Sequence, residues 1–519
     1  VVRDIHARYV LSGADVVYTC TFGANRYKLA QYGTFDIALV NRTLAGLARQ
    51  ASGGKSLVAG DIGPTGRFVE PFGDLGFEDA VSCFKEQVQG LLEGGVDLFV
   101  IETMMDIQEA RAALVAIREI TDAFCMVSLT YDEAGRTLTG TDPATAVVTL
   151  QALGADAVGC NCSAGPAEMV RLVEAMRPYA RVPILAKPNA GLPRLKDTKT
   201  AFDMGPVEFA RHARELVRAG ASMVGGCCGT TPGHIARLRD EVRVLEPPKS
   251  VPRGRPVLSS VSARVELVKD GPLVVIGERI NPTGKKALQE ELRQGIFSLV
   301  CSFAREQALR GAEILDVNVG MPGIDEKFVL REAVKRVVLC CDRPLCIDTT
   351  RIDALEAALR IYPGRALVNS ISGEEETLEE RLRIASRYGA MFILLPVTGS
   401  SLPKTARDRA RIARSVFGRA RPYGFTKDDV IVDALTMAVS AQGDAALETL
   451  ETIRWSSRVF RCASVVGLSN VSFGLPERKW VNAAFLAMAG AMGLTCAIAN
   501  PEVPEIMNVK FALDVLRGR

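Results

Sequence analysis

A short apolar run that ends in polar residues or glycine recurs through this chain, each copy following an amphipathic stretch and a glycine turn. In the first half the runs are Asp15–Thr19, Ser56–Gly60, Asp97–Ile101, Phe124–Leu129, Ala157–Asn161, Pro183–Ala186 and Ser222–Gly225. In the second half they are Leu273–Ile276, Ile314–Val317, Leu345–Ile347, Ala366–Asn369, Met391–Leu395, Val430–Val432, Ser464–Gly467 and Thr495–Ile498. Apolar runs of this length alternating with helical stretches predict parallel strands joined by crossover helices. Eight in succession close into a TIM-type (β/α)8 barrel. The second half has all eight. The first has seven and opens inside a helix-like segment (Val2, Ile5, His6, Tyr9, Val10), so its opening strand is expected to be missing. Between the halves, Pro247-Pro248, Pro252 and Pro256 disfavour both helix and sheet. The expected fold is therefore α/β, two (β/α)8 barrels in tandem, the first lacking its opening strand. Its expected boundaries are residues 1–245, a linker at 246–262, and residues 263–519.

A chain of 519 residues is too long for one core, which agrees with two domains. The net charge of +3 gives no reason to invoke nucleic acid or a membrane surface. No apolar stretch is long enough to span a bilayer, and no signal-peptide pattern opens the chain. The 13 cysteines are dispersed and odd in number, which suits reduced thiols and a cytoplasmic location. Only three histidines occur, so acid–base work must fall to carboxylates, amides, water or metal; His212 and His234, in Arg-rich helical surroundings, are expected at the surface.

A β/α barrel keeps its chemistry at the C-terminal ends of its strands. There the first half places Asn161-Cys162-Ser163 and Gly225-Gly226-Cys227-Cys228-Gly229. Any one cysteine is more simply a small core residue. Three at strand ends, beside glycines that allow close backbone approach, point to a metal site with one open position, where a substrate thiol would be held ionised. In the second half Asp316, Asn318, Asp348, Asn369, Asp433 and Asn470 follow successive apolar runs. Each alone could cap a helix; together they converge on one barrel mouth.

With these motifs the chain resembles the N-terminal half of the cobalamin-dependent methionine synthase family. The first barrel carries Thr19-Cys20-Thr21-Phe22-Gly23-Ala24-Asn25, Gly60-Asp61-Ile62-Gly63-Pro64-Thr65-Gly66, Glu102-Thr103, Pro188-Asn189-Ala190-Gly191 and Gly225-Gly226-Cys227-Cys228-Gly229-Thr230, like the homocysteine-binding domain of that family. The second carries Gly277-Glu278-Arg279-Ile280-Asn281-Pro282, Leu315-Asp316-Val317-Asn318, Ile347-Asp348, Asn369-Ser370 and the run from Gly467 to Pro476, like the pterin-binding domain.

The resemblance implies zinc on Cys162, Cys227 and Cys228. Cys160 shares a strand face with Cys162, so geometry leaves both open, and the family's Asn-Cys-Ser motif selects Cys162. It implies homocysteine held by Glu102 at its ammonium, with Thr103 and Asn189 nearby and backbone groups of Gly63-Pro64-Thr65-Gly66 and Asn189-Ala190-Gly191. It implies 5-methyltetrahydrofolate held by Glu278, Asn281, Asn318, Asn369, Asp433 and Ser472, with Asn470, Asp348 and Asp316 easing methyl departure from N5 by hydrogen bonding or proton relay. Arg478 would help with the folate tail or docking, or is an ordinary surface arginine. The implied reaction passes the methyl through cobalamin, carried by another module or a separate protein, to homocysteine, giving methionine and tetrahydrofolate.

Three departures stand out. The family's opening Asp-Gly-Ala-x-Gly-Thr-like strand is absent, Ala434 follows Asp433 where the family usually has proline, and the chain reaches Arg519 without a corrinoid-binding motif. The rivals are a dihydropteroate synthase-like pterin enzyme, which leaves the first barrel unexplained, and a non-catalytic folate-binding or corrinoid-partner scaffold.

Overall fold

The computed structural model describes residues 1–192, 194–196, 199–248, 255–399 and 402–519. They form two units, Val1–Arg253 and Gly254–Arg519. Of the expected linker, residues 249–254 lie outside the described residues.

In the first unit the apolar runs become seven parallel strands: Val16–Tyr18, Leu57–Ile62, Leu98–Met104, Cys125–Leu129, Ala157–Asn161, Ile184–Lys187 and Ala221–Val224. Each pairs with the next in chain order. The sheet is open, with Val16–Tyr18 and Ala221–Val224 as its edges; among the described residues no eighth strand joins them. Strand side chains alternate between faces, and this sorts the residues into layers. Val16, Ala59, Val100, Met126, Ala157, Leu185 and Met223 form one apolar cluster on the concave face. The next positions of the same parity toward the C-terminal ends are Tyr18, Asp61, Glu102, Ser128, Asn161 and Lys187. A polar layer thus sits directly above an apolar one. Gly159 belongs between them because a Cβ there would lie 1.9 Å from the Leu185 carbonyl oxygen.

Helices cover the convex face. Ile37–Ser52 starts at Asp36, whose carboxylate accepts from Leu39 N at 2.9 Å, and stops at Gly53 with φ 52°. His234 corrects an expectation, being buried rather than at the surface. It sits in the first turn of Pro232–Val242, where Nδ1 accepts from Thr231 N at 3.1 Å and Nε2 lies 3.0 Å from the Met204 carbonyl.

The second unit closes. Val274–Ile280, Ile314–Val317, Leu345–Asp348, Leu367–Ser372, Met391–Leu395, Val430–Asp433, Ala463–Gly467 and Cys496–Ala499 form an eight-stranded barrel, sealed by pairing of Val274 with Cys496. Its apolar interior layer includes Ile276, Ile314, Cys346, Leu367, Ile393, Ile431 and Val465. Two residues on, the same parity gives Glu278, Asp316, Asp348, Asn369, Leu395, Asp433 and Gly467.

Val257–Ser259, read from the prolines as linker, instead pairs with Arg264–Glu266 in an antiparallel hairpin. Its apolar residues explain the difference: Leu258 and nearby Leu267 are buried in the barrel's apolar cluster. Arg365 fastens the hairpin, donating to Val257 O at 3.1 Å and to Asp429 Oδ1 at 2.6 Å. Among the described residues, no helix is long and apolar enough to cross a membrane.

Candidate functional site

The first unit gathers Cys162, Cys227 and Cys228, whose sulfurs all lie within 4.8 Å of one another. Cys162 directly follows the Ala157–Asn161 strand; Cys227 and Cys228 follow the edge strand Ala221–Val224. Backbone bonds fix the convergence. Cys162 N donates to Lys187 O at 3.1 Å, Cys227 N to Pro188 O at 2.8 Å, and Cys228 N to Asn189 Oδ1 at 3.1 Å. Cys162 and Ser163 both have positive φ, 62° and 56°, which turns the first thiol back toward the other two. Cys160 is fully buried, and burial pushes its thiol up to about 12; it is outside the cluster.

The three thiols resist ionising together. A hydrogen bond from Cys227 pulls Cys162 down; donating that bond, and burial, push Cys227 up; burial and the charge of Cys227 push Cys228 up. A bound cation would remove this conflict. The spacing suits zinc: Zn–S bonds of about 2.3 Å give a tetrahedral S···S edge of about 3.8 Å. Cys162 Sγ lies 3.8 Å from Cys228 Sγ.

Beneath the sulfurs, Asn161 ties the layer together. Its Oδ1 accepts from Thr103 N at 2.9 Å and Ser128 Oγ at 2.8 Å, and its Nδ2 donates to Thr103 Oγ1 at 2.7 Å. The same Nδ2 lies 3.7 Å from Cys227 Sγ. Thr103 is held at φ 59°.

Glu102, expected to face a ligand ammonium, is ion-paired with Lys187. Lys187 Nζ also lies 4.1 Å from the centre of the Tyr18 ring. Burial works against this ammonium, yet Tyr18 and Glu102 hold its pKa above the ordinary lysine value. The turn expected to offer N–H groups is partly committed: Gly63 N donates to Phe22 O, and Thr65 N to Glu109 Oε1 at 2.7 Å. Asn189 supports the Cys228 backbone, and Ala190 N donates to Cys228 O. Lys187 and Tyr18 lie outside the sequence motifs, and Asp61 and Asn161 stand within them with no role assigned. Their signal was the strand parity that carries the apolar layer one step further.

In the second unit Glu278, Asp316, Asp348, Asn369 and Asp433 lie in the polar layer at one barrel mouth. Asn318 Nδ2 donates to Asp348 Oδ2 at 2.9 Å and Asn369 Nδ2 to Asp316 Oδ1 at 3.2 Å. Burial, then the charge of Asp348, pushes the Asp316 carboxyl well up; burial also raises Asp348, Glu278 and, to about 6, Asp433. Asp433 Oδ1 accepts from Leu435 N at 2.7 Å.

Asn470 ends the short 3-10 turn after the seventh barrel strand and is exposed. Ser469 Oγ donates to Glu278 Oε1 at 2.9 Å. Arg478 is exposed and clamps this loop through Ser472 Oγ at 3.0 Å and Ser469 O at 2.7 Å. Asn281 caps its own turn, accepting from Thr283 N at 2.9 Å.

Residues 1–242 match the homocysteine S-methyltransferase family, and residues 277–500 match the pterin binding enzyme family. Each unit of the chain thus matches one family, homocysteine S-methyltransferase in the first and pterin binding enzyme in the second. It is 30% identical to methionine synthase of Mycobacterium tuberculosis (strain ATCC 25618 / H37Rv) over 555 aligned residues, covering 100% of this chain and 46% of the relative. Methionine synthase of Mycobacterium leprae (strain TN) matches at 30% over 561, again 100% and 46%. The chain thus spans about half the length of these curated relatives, and the likeness read from the motifs is borne out along its whole length. Among solved structures, the oxidized homocysteine methyltransferase MmuM of Escherichia coli is 23% identical, with TM-score 0.40, covering 46% of this chain and 83% of that one.

Proposed function

We propose that this chain serves methyl transfer from 5-methyltetrahydrofolate to the thiol of homocysteine, giving methionine and tetrahydrofolate. The observation that carries this reading is the three-sulfur cluster of one domain, in a chain whose other domain belongs with pterin binders. Cys162, Cys227 and Cys228 would hold zinc, which keeps a substrate thiol ionised at neutral pH, where a free thiol of pKa about 8.5 is mostly protonated. Cobalamin, held by another domain or a separate protein, would carry the methyl between the two sites. The free state of all thirteen cysteines suits a reducing, cytoplasmic setting.

The chain's own groups divide the remaining work. Asn161 orients Cys227 and fixes Thr103 at the floor of the thiol site. Glu102 and its surroundings orient the amino-acid end of homocysteine. In the pterin barrel, Asp316, Asn318, Asp348 and Asn369 offer paired donors and acceptors to the ring edge. Asp316 and Asp348, whose carboxyls burial pushes up, would offer hydrogen bonding or proton relay that makes N5 a better leaving group, with Asn470 at the rim to orient the reacting nitrogen.

The test is anaerobic absorbance of the zinc-loaded chain with free methylcobalamin and homocysteine, followed by calorimetric titration with 5-methyltetrahydrofolate. Protein-dependent demethylation of the cobalamin that is lost in Cys228→Ser, together with folate binding lost in Asp316→Ala, is the expected result. Folate binding with neither zinc uptake nor demethylation would refute the reading and favour a pterin-binding scaffold.

A further inference from the structure

Among the described residues, the concave polar layer of the first domain holds two carboxyls, Asp61 and Glu102, and one ammonium, Lys187. Asp61 is buried, and its Oδ1 has no hydrogen-bond partner. The residue is not loosely placed. Asp61 N donates to Thr19 Oγ1 at 2.9 Å, and Asp61 O accepts from Thr21 Oγ1 at 2.7 Å. Thr19 and Thr21 are themselves 2.6 Å apart. The side chain therefore projects into the layer from a backbone pinned on both sides.

Its neighbours define what the free oxygen faces. Burial pushes the Asp61 carboxyl up, the charge of Glu102 pushes it further, Lys187 opposes both, and Cys227 adds to the rise. Asp61 and Glu102 stand on adjacent strands in one polar layer, and among the described residues its cation is Lys187, ion-paired to Glu102 and seated on the Tyr18 ring. The ammonium of Lys187 is already paired with Glu102, which leaves Asp61 Oδ1 a vacant acceptor. A ligand carrying a cationic N–H donor group would fill that acceptor and favour the ionised carboxylate. A buried polar group without a partner is costly, so such a ligand is favoured beyond its charge. The sulfur cluster lies beside this layer: Asn161 Nδ2, a member of it, is 3.7 Å from Cys227 Sγ, and Cys162 N donates to Lys187 O at 3.1 Å.

We propose that Asp61 is a second anchor for the ammonium of an amino-acid thiol, beside Glu102, with Lys187 making two carboxyls compatible in one buried pocket. This rests on the homocysteine reading of the first domain and adds a specificity element to it. The site selects thiols that carry a primary ammonium over those that do not.

Calorimetric titration of the zinc-loaded full chain with L-homocysteine and with 4-mercaptobutyrate, which keeps the thiol and carboxylate but lacks the ammonium, tests this. Asp61→Asn is expected to weaken homocysteine at least about tenfold and 4-mercaptobutyrate less than about twofold, with zinc content unchanged. In Glu102→Gln, the chain should still prefer homocysteine over 4-mercaptobutyrate, because Asp61 remains. Equal weakening of both thiols by Asp61→Asn, or loss of all preference in Glu102→Gln, would overturn the proposal. A wild-type chain that takes up zinc but binds neither thiol would overturn the homocysteine reading itself, and this inference with it.

Discussion

Asn161 is the residue whose loss should be felt most widely for its size. Replacing it with alanine removes both acceptor bonds of Oδ1, the donor bond to Thr103 Oγ1, and the polar contact with Cys227 Sγ. Ser128 is fully buried and Asn161 is 1% exposed, so water cannot readily substitute. Two donors left without partners cost about 1–3 kcal/mol each. Thr103, held at positive φ, also loses its clamp. A loss of about 2–4 kcal/mol in first-domain stability follows, within the range for breaking a buried network. Groups that orient metal ligands change metal affinity about 10–100-fold when removed, so zinc affinity should fall by a similar factor.

Both tryptophans, Trp455 and Trp480, lie in the second unit, so fluorescence reports that unit alone. First-domain unfolding is better followed by pulsed labelling of the buried thiols Cys125 and Cys160 in urea. Zinc affinity is read by competition with a chromophoric chelator. Zinc affinity within about twofold of wild type would refute the link between Asn161 and the sulfur cluster. Unchanged labelling of Cys160 would refute the structural part.

Other perturbations separate the two domains. Gly159→Ala would drive a methyl group to 1.9 Å from the Leu185 carbonyl, breaking the pairing of two central strands; a loss of about 3 kcal/mol or more is expected, seen as early labelling of Cys160 with tryptophan fluorescence unchanged. Arg365→Met strips Asp429 of its buried partner and releases the Val257 carbonyl; breaking such a pair costs about 3–5 kcal/mol, read from the tryptophan transition in urea. The Asp106 and Glu109 carboxyls are pushed up to about 6 and about 7, chiefly by burial. The folded chain then keeps protons that the unfolded chain releases, so stability is greatest below the unfolded pKa values near 4 and declines as pH rises toward 7. Glu109→Gln should flatten that decline in the first-domain labelling transition between pH 5 and pH 8.

The strand pattern was legible because buried parallel strands must be apolar. Ala157–Asn161, Ile314–Val317 and Met391–Leu395 have the bounds their apolar runs suggest, and the others shift by a few residues. The carboxylate and amide ring of the pterin domain was legible for the same reason, since each member follows an apolar run. The Lys187–Glu102 pair was not. A strand ending in Lys-Pro reads as an exposed end, and nothing local says that the ammonium turns inward onto a tyrosine face. The Val257–Ser259 strand was hidden by the surrounding prolines, because its reason for existing is a barrel floor assembled from distant residues such as Arg365. His234 was misread because an arginine-rich helix has two faces, and its ring is on the covered one.

The open edge of the first sheet has a mechanical consequence. Among the described residues the strand Ala221–Val224 has a strand partner on one side, while helix Val2–Leu11 reaches the following loop through Tyr9 OH, which donates to Thr230 O at 3.1 Å. Cys227 and Cys228 belong to that loop, whereas Cys162 follows an interior strand two places away. An ion shared by the three sulfurs would act as a rivet between the free margin of the sheet and its middle. Metal uptake and the stiffness of that margin would then be one property: stripping the ion would loosen the margin first and leave the interior strands in place.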